Sequence, residues 1–189
     1  SFSENPPQAS ILLPDGETSP TGEFNLRVTI SDPDGEELAY TLFYSQDNGQ
    51  NWIPLMVNLT QELLELDSES LPGCQQCQLM VEVSDGWNLS RAQLPASFSI
   101  ADKPPDISIL YPLDEATLTS GMVSMEAMVF DLEDENFSSV DTHLDRITWH
   151  SSLDGELGNP SNNYSSLTPG SHVLTATYQD QAGNIATDQ

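Results

Sequence analysis

With 189 residues and 37% hydrophobic content, the chain can form one large domain or two small ones and is too apolar for a disordered tail. Against 30 Asp and Glu stand four cations, Arg27, Arg91, Lys103 and Arg146, and the formal net charge of -26 excludes nucleic acid and anionic membranes as partners. The apolar runs are only a few residues long, which excludes membrane insertion and a signal-peptide core. Any secretion signal is expected outside this stretch.

Taken in chain order, the sequence states one plan twice. The first copy opens with Pro6-Pro7 and Ile11-Leu12-Leu13, the second with Pro104-Pro105 and Ile107-Ser108-Ile109-Leu110-Tyr111. A strand of strict alternation follows in each, with Phe24, Leu26, Val28 and Ile30 on one face of the first and Val123, Met125, Ala127 and Val129 in the second. Both strands run into an acidic turn, Asp32-Pro33-Asp34-Gly35-Glu36 and Asp131-Leu132-Glu133-Asp134-Glu135. Aromatic-bearing strands come next, through Tyr40, Leu42 and Tyr44 and through Ile147 and Trp149. They end in Ser45-Gln46-Asp47-Asn48-Gly49 and Ser151-Ser152-Leu153-Asp154-Gly155. Leu71-Pro72-Gly73 and Leu167-Thr168-Pro169-Gly170 precede further alternating strands, Leu79/Val81/Val83 and Leu174/Ala176/Tyr178, which stop at Asp85 and Asp180. Internal duplication of this kind predicts two modules, 1–101 and 102–189, joined by the proline-stiffened linker Ala101-Asp102-Lys103-Pro104-Pro105.

Short alternating strands separated by turn signals predict an all-β fold of two tandem sandwiches. Leu63 to Leu66 is the one helix candidate, and it is very short. Little sequence follows Ile185 for a last strand, so the stretch reads as cut from a longer array.

The order of Pro-opened strand, acidic turn, aromatic strand, S-x-D-x-G turn, L-P-G strand and Asp-terminated strand resembles immunoglobulin-like repeats of prokaryotic surface and secreted proteins. Fibronectin III, cadherin-like and PKD modules share this architecture. The resemblance implies an extracellular location. Ser45 to Trp52 also looks like the Asp-box turn, with Asn51 in place of its usual Thr, and reads as a hairpin device.

No catalytic pattern appears. His143, His150 and His172 belong to no H-E-x-x-H and sit beside no patterned nucleophile, and His150 and His172 read as ordinary strand residues. Cys74 and Cys77 form a C-x-x-C without a second pair to complete a zinc site. A local disulfide is favoured over free thiols and over metal or redox chemistry. Sequons at Asn58, Asn88, Asn136 and Asn163 suit a glycosylated surface chain.

The acidic turns are the better candidates for chemistry, because clustered hard oxygen ligands suit calcium. In an immunoglobulin-like module the loop after the second strand and the loop before the last share a pole. That would bring Asp131, Glu133, Asp134 and Asp180 together with Asp102 and Asp106 at the junction of the modules as a calcium site. Asp32, Asp34, Glu36 and Asp85 would form a weaker equivalent in the first copy. The acidity also suits a salt-rich medium, and the near absence of lysine favours that origin for most of the charge. The function expected is a non-catalytic spacer, surface-layer or adhesin-like repeat, with neighbouring repeats, other surface proteins or glycans as partners. The alternative is a carbohydrate- or peptide-binding accessory module of a secreted hydrolase, with Trp52, Trp87 and Tyr164 as its aromatic platform.

Overall fold

The structure, a computed structural model, describes residues 5–13, 18–119, 121–133, 146–158 and 164–189. By its internal contacts the chain divides into two compact units, Ser1–Asp102 and Lys103–Gln189.

In the first unit the strands are β1 (Gln8–Leu12), β2 (Glu23–Ser31), β3 (Ala39–Ser45), β4 (Ile53–Leu59), β5 (Leu63–Asp67), β6 (Cys74–Ser84), β7 (Leu89–Gln93) and β8 (Phe98–Ile100). One sheet runs β1-β2-β5 and the other β4-β3-β6-β7, with β8 also on β6, and every pairing is antiparallel. First, second and fifth strands on one sheet and third, fourth, sixth and last on the other is the order of an immunoglobulin-like sandwich. The period-two pattern of β2 produces it locally: Phe24, Leu26 and Val28 are buried while Glu23, Arg27 and Thr29 face solvent. Tyr40, Leu42 and Tyr44 of β3 and Leu79, Val81 and Val83 of β6 fill the space opposite. Each fully buried Leu or Val contributes about 1.5–3 kcal/mol. The two tyrosines stay buried because their hydroxyls donate to backbone carbonyls, Tyr40 to Gln61 and Tyr44 to Pro72, each at 2.5 Å.

Leu63 to Leu66, the helix candidate, lies in strand β5. Leu64 and Leu66 point into the core opposite Leu26 and Phe24, and Leu63, Glu65 and Asp67 point out. Packing against β2 overrides the high helix propensity of leucine. The 3-10 turn Ser68–Ser70 follows β5.

The second unit repeats the plan in β9 (Asp106–Tyr111), β10 (Met122–Ser124), β11 (Glu126–Phe130), β12 (Ile147–Ser151), β13 (Gly155–Gly158), β14 (Tyr164–Ser166), β15 (Leu174–Gln179) and β16 (Ile185–Asp188). One sheet runs β13-β12-β15-β16, while β9 pairs β11 and β10 pairs β14. β10 and β11 are one strand interrupted at Met125, whose side chain is buried. The registers match those of the first unit. Ile11↔Val28 and Ala9↔Ile30 become Ile109↔Ala127 and Ile107↔Val129, and Glu65↔Asn25 becomes Tyr164↔Ser124. Ile107, Val123, Met125, Ile147, Trp149, Ala176 and Tyr178 form its core. The short tail after Ile185 does pair with β15 along β16.

Candidate cation sites at the acidic turns

After β2 the chain must reverse, and Asp32 organises the reversal. Its Oδ1 accepts the backbone N–H of Asp34 at 2.7 Å and of Gly35 at 3.1 Å. Gly35 sits at φ +81°, where a Cβ is strained. Both Asp34 oxygens are taken by Asn5, from its backbone N–H and its side-chain amide at 2.9 Å each. The Asn5 carbonyl in turn accepts from Asn88 Nδ2 at 3.5 Å. Asn88 is held by Asp85, which accepts from Trp87 N, Asn88 N and Asn88 Nδ2 at 2.6–2.9 Å. The two acidic loops of the first unit therefore share a pole through Asn5 and Asn88, while Asp85 itself is committed to its own turn.

Asp32, Asp34 and Glu36 each place a carboxylate oxygen within 4.8 Å of the others. Asp32 Oδ2 and Glu36 Oε2 are shut off from solvent, and no described residue offers either a hydrogen bond. Loss of solvent first, and then the Asp32 carboxyl beside it, push the Glu36 carboxyl above its ordinary range.

The second unit copies the wiring. Glu133 N–H donates to Asp131 Oδ1 at 3.1 Å, as Asp34 does to Asp32, and Lys103 N–H donates to Glu133 Oε1 at 3.0 Å, as Asn5 does to Asp34. Asp131 is 2% exposed. Asp180, also buried, accepts from Asn184 N and Nδ2 at 2.7 Å each, the counterpart of Asp85 with Asn88. Asp106 lies exposed at the start of β9 opposite Phe130. Asp102 closes the first unit against Gly73, where a Cβ would come within 2.5 Å of its Oδ1. Asp134 lies outside the described residues. The sequence reading passed over Asn5 and Lys103. The signal was available: both precede Pro-Pro, and since proline lacks an N–H, theirs is the last backbone donor before the strand.

The remaining sequence candidates have structural settings. Cys74 and Cys77 are disulfide-bonded with Cα atoms 5.5 Å apart, and the Tyr44 hydroxyl lies 2.9 and 3.3 Å from their sulfurs. Asn58 is exposed at φ 55°. The Asn88 amide nitrogen, the atom a glycan would take, is engaged by Asp85. Asn136, Asn163 and His143 lie outside the described residues. His150 is exposed on β12. His172 just precedes β15 and does more than a plain strand residue: its Nδ1 lies 2.8 Å from Ser151 Oγ and its Nε2 2.8 Å from the Thr168 carbonyl, with Asp154 at 3.8 Å. This grouping is no nucleophile, because Ser151 is 0% exposed and its Oγ also takes the Leu153 and Asp154 amides. In the Asp-box turn, Asp47 accepts from Ser45 Oγ, Gln50 N, Asn51 N and Asn51 Nδ2 at 2.6–3.0 Å. These bonds, led by the Asn51 amide, lower its pKa to about 2. Trp52 lies over Gly49 of that turn, half-buried, whereas Trp87 is 66% exposed.

No family model and no curated protein matches the chain. Among solved structures, the N-terminal four Ig domains of Dscam1 isoform 6.9 align over 97% of this chain and 45% of that one, at 8% identity and a TM-score of 0.35. The FN1-FN3 domains of chicken CNTN1 align over 96% and 61%, at 12% identity and 0.31. A chimeric titin Z1Z2-Z1Z2 tandem aligns over 96% and 97%, at 11% identity and 0.31. The chain thus spans under half the length of the Dscam1 structure. The likeness is loose at these scores, and the immunoglobulin-like assignment rests on strand order and register.

Proposed function

We propose that the chain is a non-catalytic pair of immunoglobulin-like repeats from the exterior of a prokaryotic cell, a spacer of the surface-layer or adhesin-like kind whose acidic turns take up calcium. The observation that carries the reading is the Asp32, Asp34 and Glu36 cluster, three carboxylates drawn together around two buried oxygens that lack donors. Carboxylates held this close repel one another, and an acceptor oxygen cut off from water without a donor is unfavourable. A divalent cation with a taste for hard oxygen relieves both penalties. Calcium suits the donor set because it tolerates loose geometry and completes its shell with carbonyls and water. Repetition of the turn wiring in the second unit extends the proposal to Asp131 and Glu133. The Cys74–Cys77 disulfide supports an oxidising compartment.

The test is calorimetric titration of the chain with calcium in moderate sodium chloride. Saturable binding is expected, lost from the first unit in Asp32→Asn with Glu36→Gln. Heat that never saturates, or that the double variant leaves unchanged, overturns the calcium assignment.

A second reading, the accessory binding module of a secreted hydrolase, is favoured by Trp87 and by Tyr164, which is 56% exposed. The full-length gene product separates the two: further repeats and an anchor support the spacer, an adjoining catalytic domain supports the module.

A further inference from the structure

The two units provide a control for each other. Residues that face outward at matching register positions of the β1-β2-β5 sheet and of its copy do the same job for the fold, so a difference between them has another cause. In the first unit these positions hold Glu23, Thr29, Ser31 and Glu65. In the second they hold Met122, Met128, Phe130 and Tyr164, which are 59, 58, 53 and 56% exposed. The fold does not require apolar side chains at these four positions, since the first unit forms the same sheet with polar ones there; its own outward leucines, Leu12 and Leu63, flank Arg27 instead. An exposed apolar patch built onto an acidic protein marks an interaction surface.

A groove of about 420 Å³ opens on this face, lined by Tyr111, Leu118, Met122, Ser124, Glu126 and Tyr164 among others. Register explains its shape. Tyr164 stands across from Ser124 on one side of the central strand, and Tyr111 across from Glu126 on the other. Two aromatic walls with a carboxylate between them suit a cation on an aliphatic stem, through attraction to the ring faces and to Glu126. Among the outward residues of β9, β10, β11 and β14, Asp106 and Glu126 are charged and none is Lys or Arg. A second copy of the chain would bring the same acids and the same -26 charge against them.

We infer that the outward face of the β9/β11 and β10/β14 strands, with its groove between Tyr111 and Tyr164, docks a polypeptide that presents apolar side chains alternating with Lys or Arg. The apolar side chains cover Met128 and Phe130, and one cationic side chain enters the groove to meet Glu126. This surface stands whether or not the acidic turns take calcium.

The test uses the whole chain and a fluorescent-labelled short peptide of alternating leucine and lysine, in moderate salt so that general attraction to the acidic surface is screened. A peptide of alternating serine and lysine is the charge-matched control. One variant carries the first unit's residues, Met122→Glu, Met128→Thr, Phe130→Ser and Tyr164→Glu; all are exposed, so its melting should stay close to the parent's. A second carries Glu126→Arg, the residue found at the matching position Arg27. The parent should bind the leucine–lysine peptide saturably and the serine–lysine peptide weakly. Both variants should bind the former on the order of tenfold more weakly. Equal binding by parent and variants, or equal binding of both peptides, reduces the attraction to bulk charge and overturns the proposal. Sedimentation showing a parent dimer that the first variant dissolves overturns it too, by assigning the face to a second copy.

Discussion

Asp47, Asp85 and Asp180 accept hydrogen bonds from amides of their own turns, whereas Asp32 and Glu36 each keep a buried oxygen that no described residue reaches. The same residue types therefore do different work according to which donors the backbone brings. Asp47 has its pKa depressed in the folded state, so its stabilisation is present above the ordinary carboxylate range and is lost as pH falls through about 2. Glu36 has the opposite sign. Its raised carboxyl favours the folded state at acid pH and loses that advantage as pH rises through the raised value. Calcium needs the ionised form, so it acts where repulsion within the cluster is least favourable to folding. Gly49 carries the turn that Asp47 fixes, at φ +84° and with Trp52 Cζ2 3.2 Å from where a Cβ would stand. Gly49→Ala should cost about 1–3 kcal/mol, from backbone strain together with the displaced indole. A melt of the first unit unchanged by this substitution would show that the turn is not built this way.

At the scale of elements, alternation carried most of the information. Phe24, Leu26 and Val28, and Leu79, Val81 and Val83, were legible as inward faces because a strand's period is two, and they are buried. Val28→Asp would put an uncompensated charge into that core, and the expected loss of several kcal/mol should unfold the first unit. A parent-like melt would mean that β2 presents its other face. β5 was not legible, because Leu63-Leu64-Glu65-Leu66 has no turn signal to separate strand from helix and only pairing with β2 decides it. The acidic turns could be read from their composition. Their wiring was marked only by the Pro-Pro that follows Asn5 and Lys103, and these donors lie 29 and 30 residues from their acceptors along the chain. The apolar outward face stands out only against the register of the first unit: Met122, Met128 and Phe130 alternate with core residues, so this strand is apolar on both faces.

For the whole molecule, the duplication means that each feature appears against its own control. The acidic turn with its entry amide is held in common, as is the Asp–Asn pairing that closes the later loop. The outward apolar side chains at Met122, Met128, Phe130 and Tyr164 belong to the second unit, and the disulfide to the first. Shared features belong to what the repeat is, and unshared ones to what each copy has been adapted to do. The charge of -26 is a property of the entire surface, and screening by ordinary salt should relieve its self-repulsion without any specific site.

A specific calcium site and general charge screening are separated by thermal melting of the chain in rising sodium chloride, then in rising calcium chloride at fixed high ionic strength. The melting temperature should climb with sodium chloride and climb further, to saturation, with calcium at constant ionic strength. Asp32→Asn with Glu36→Gln should keep the first rise and lose the first unit's share of the second. A calcium response no larger than that of sodium once ionic strength is matched, or one that the double variant retains in full, would contradict the specific site.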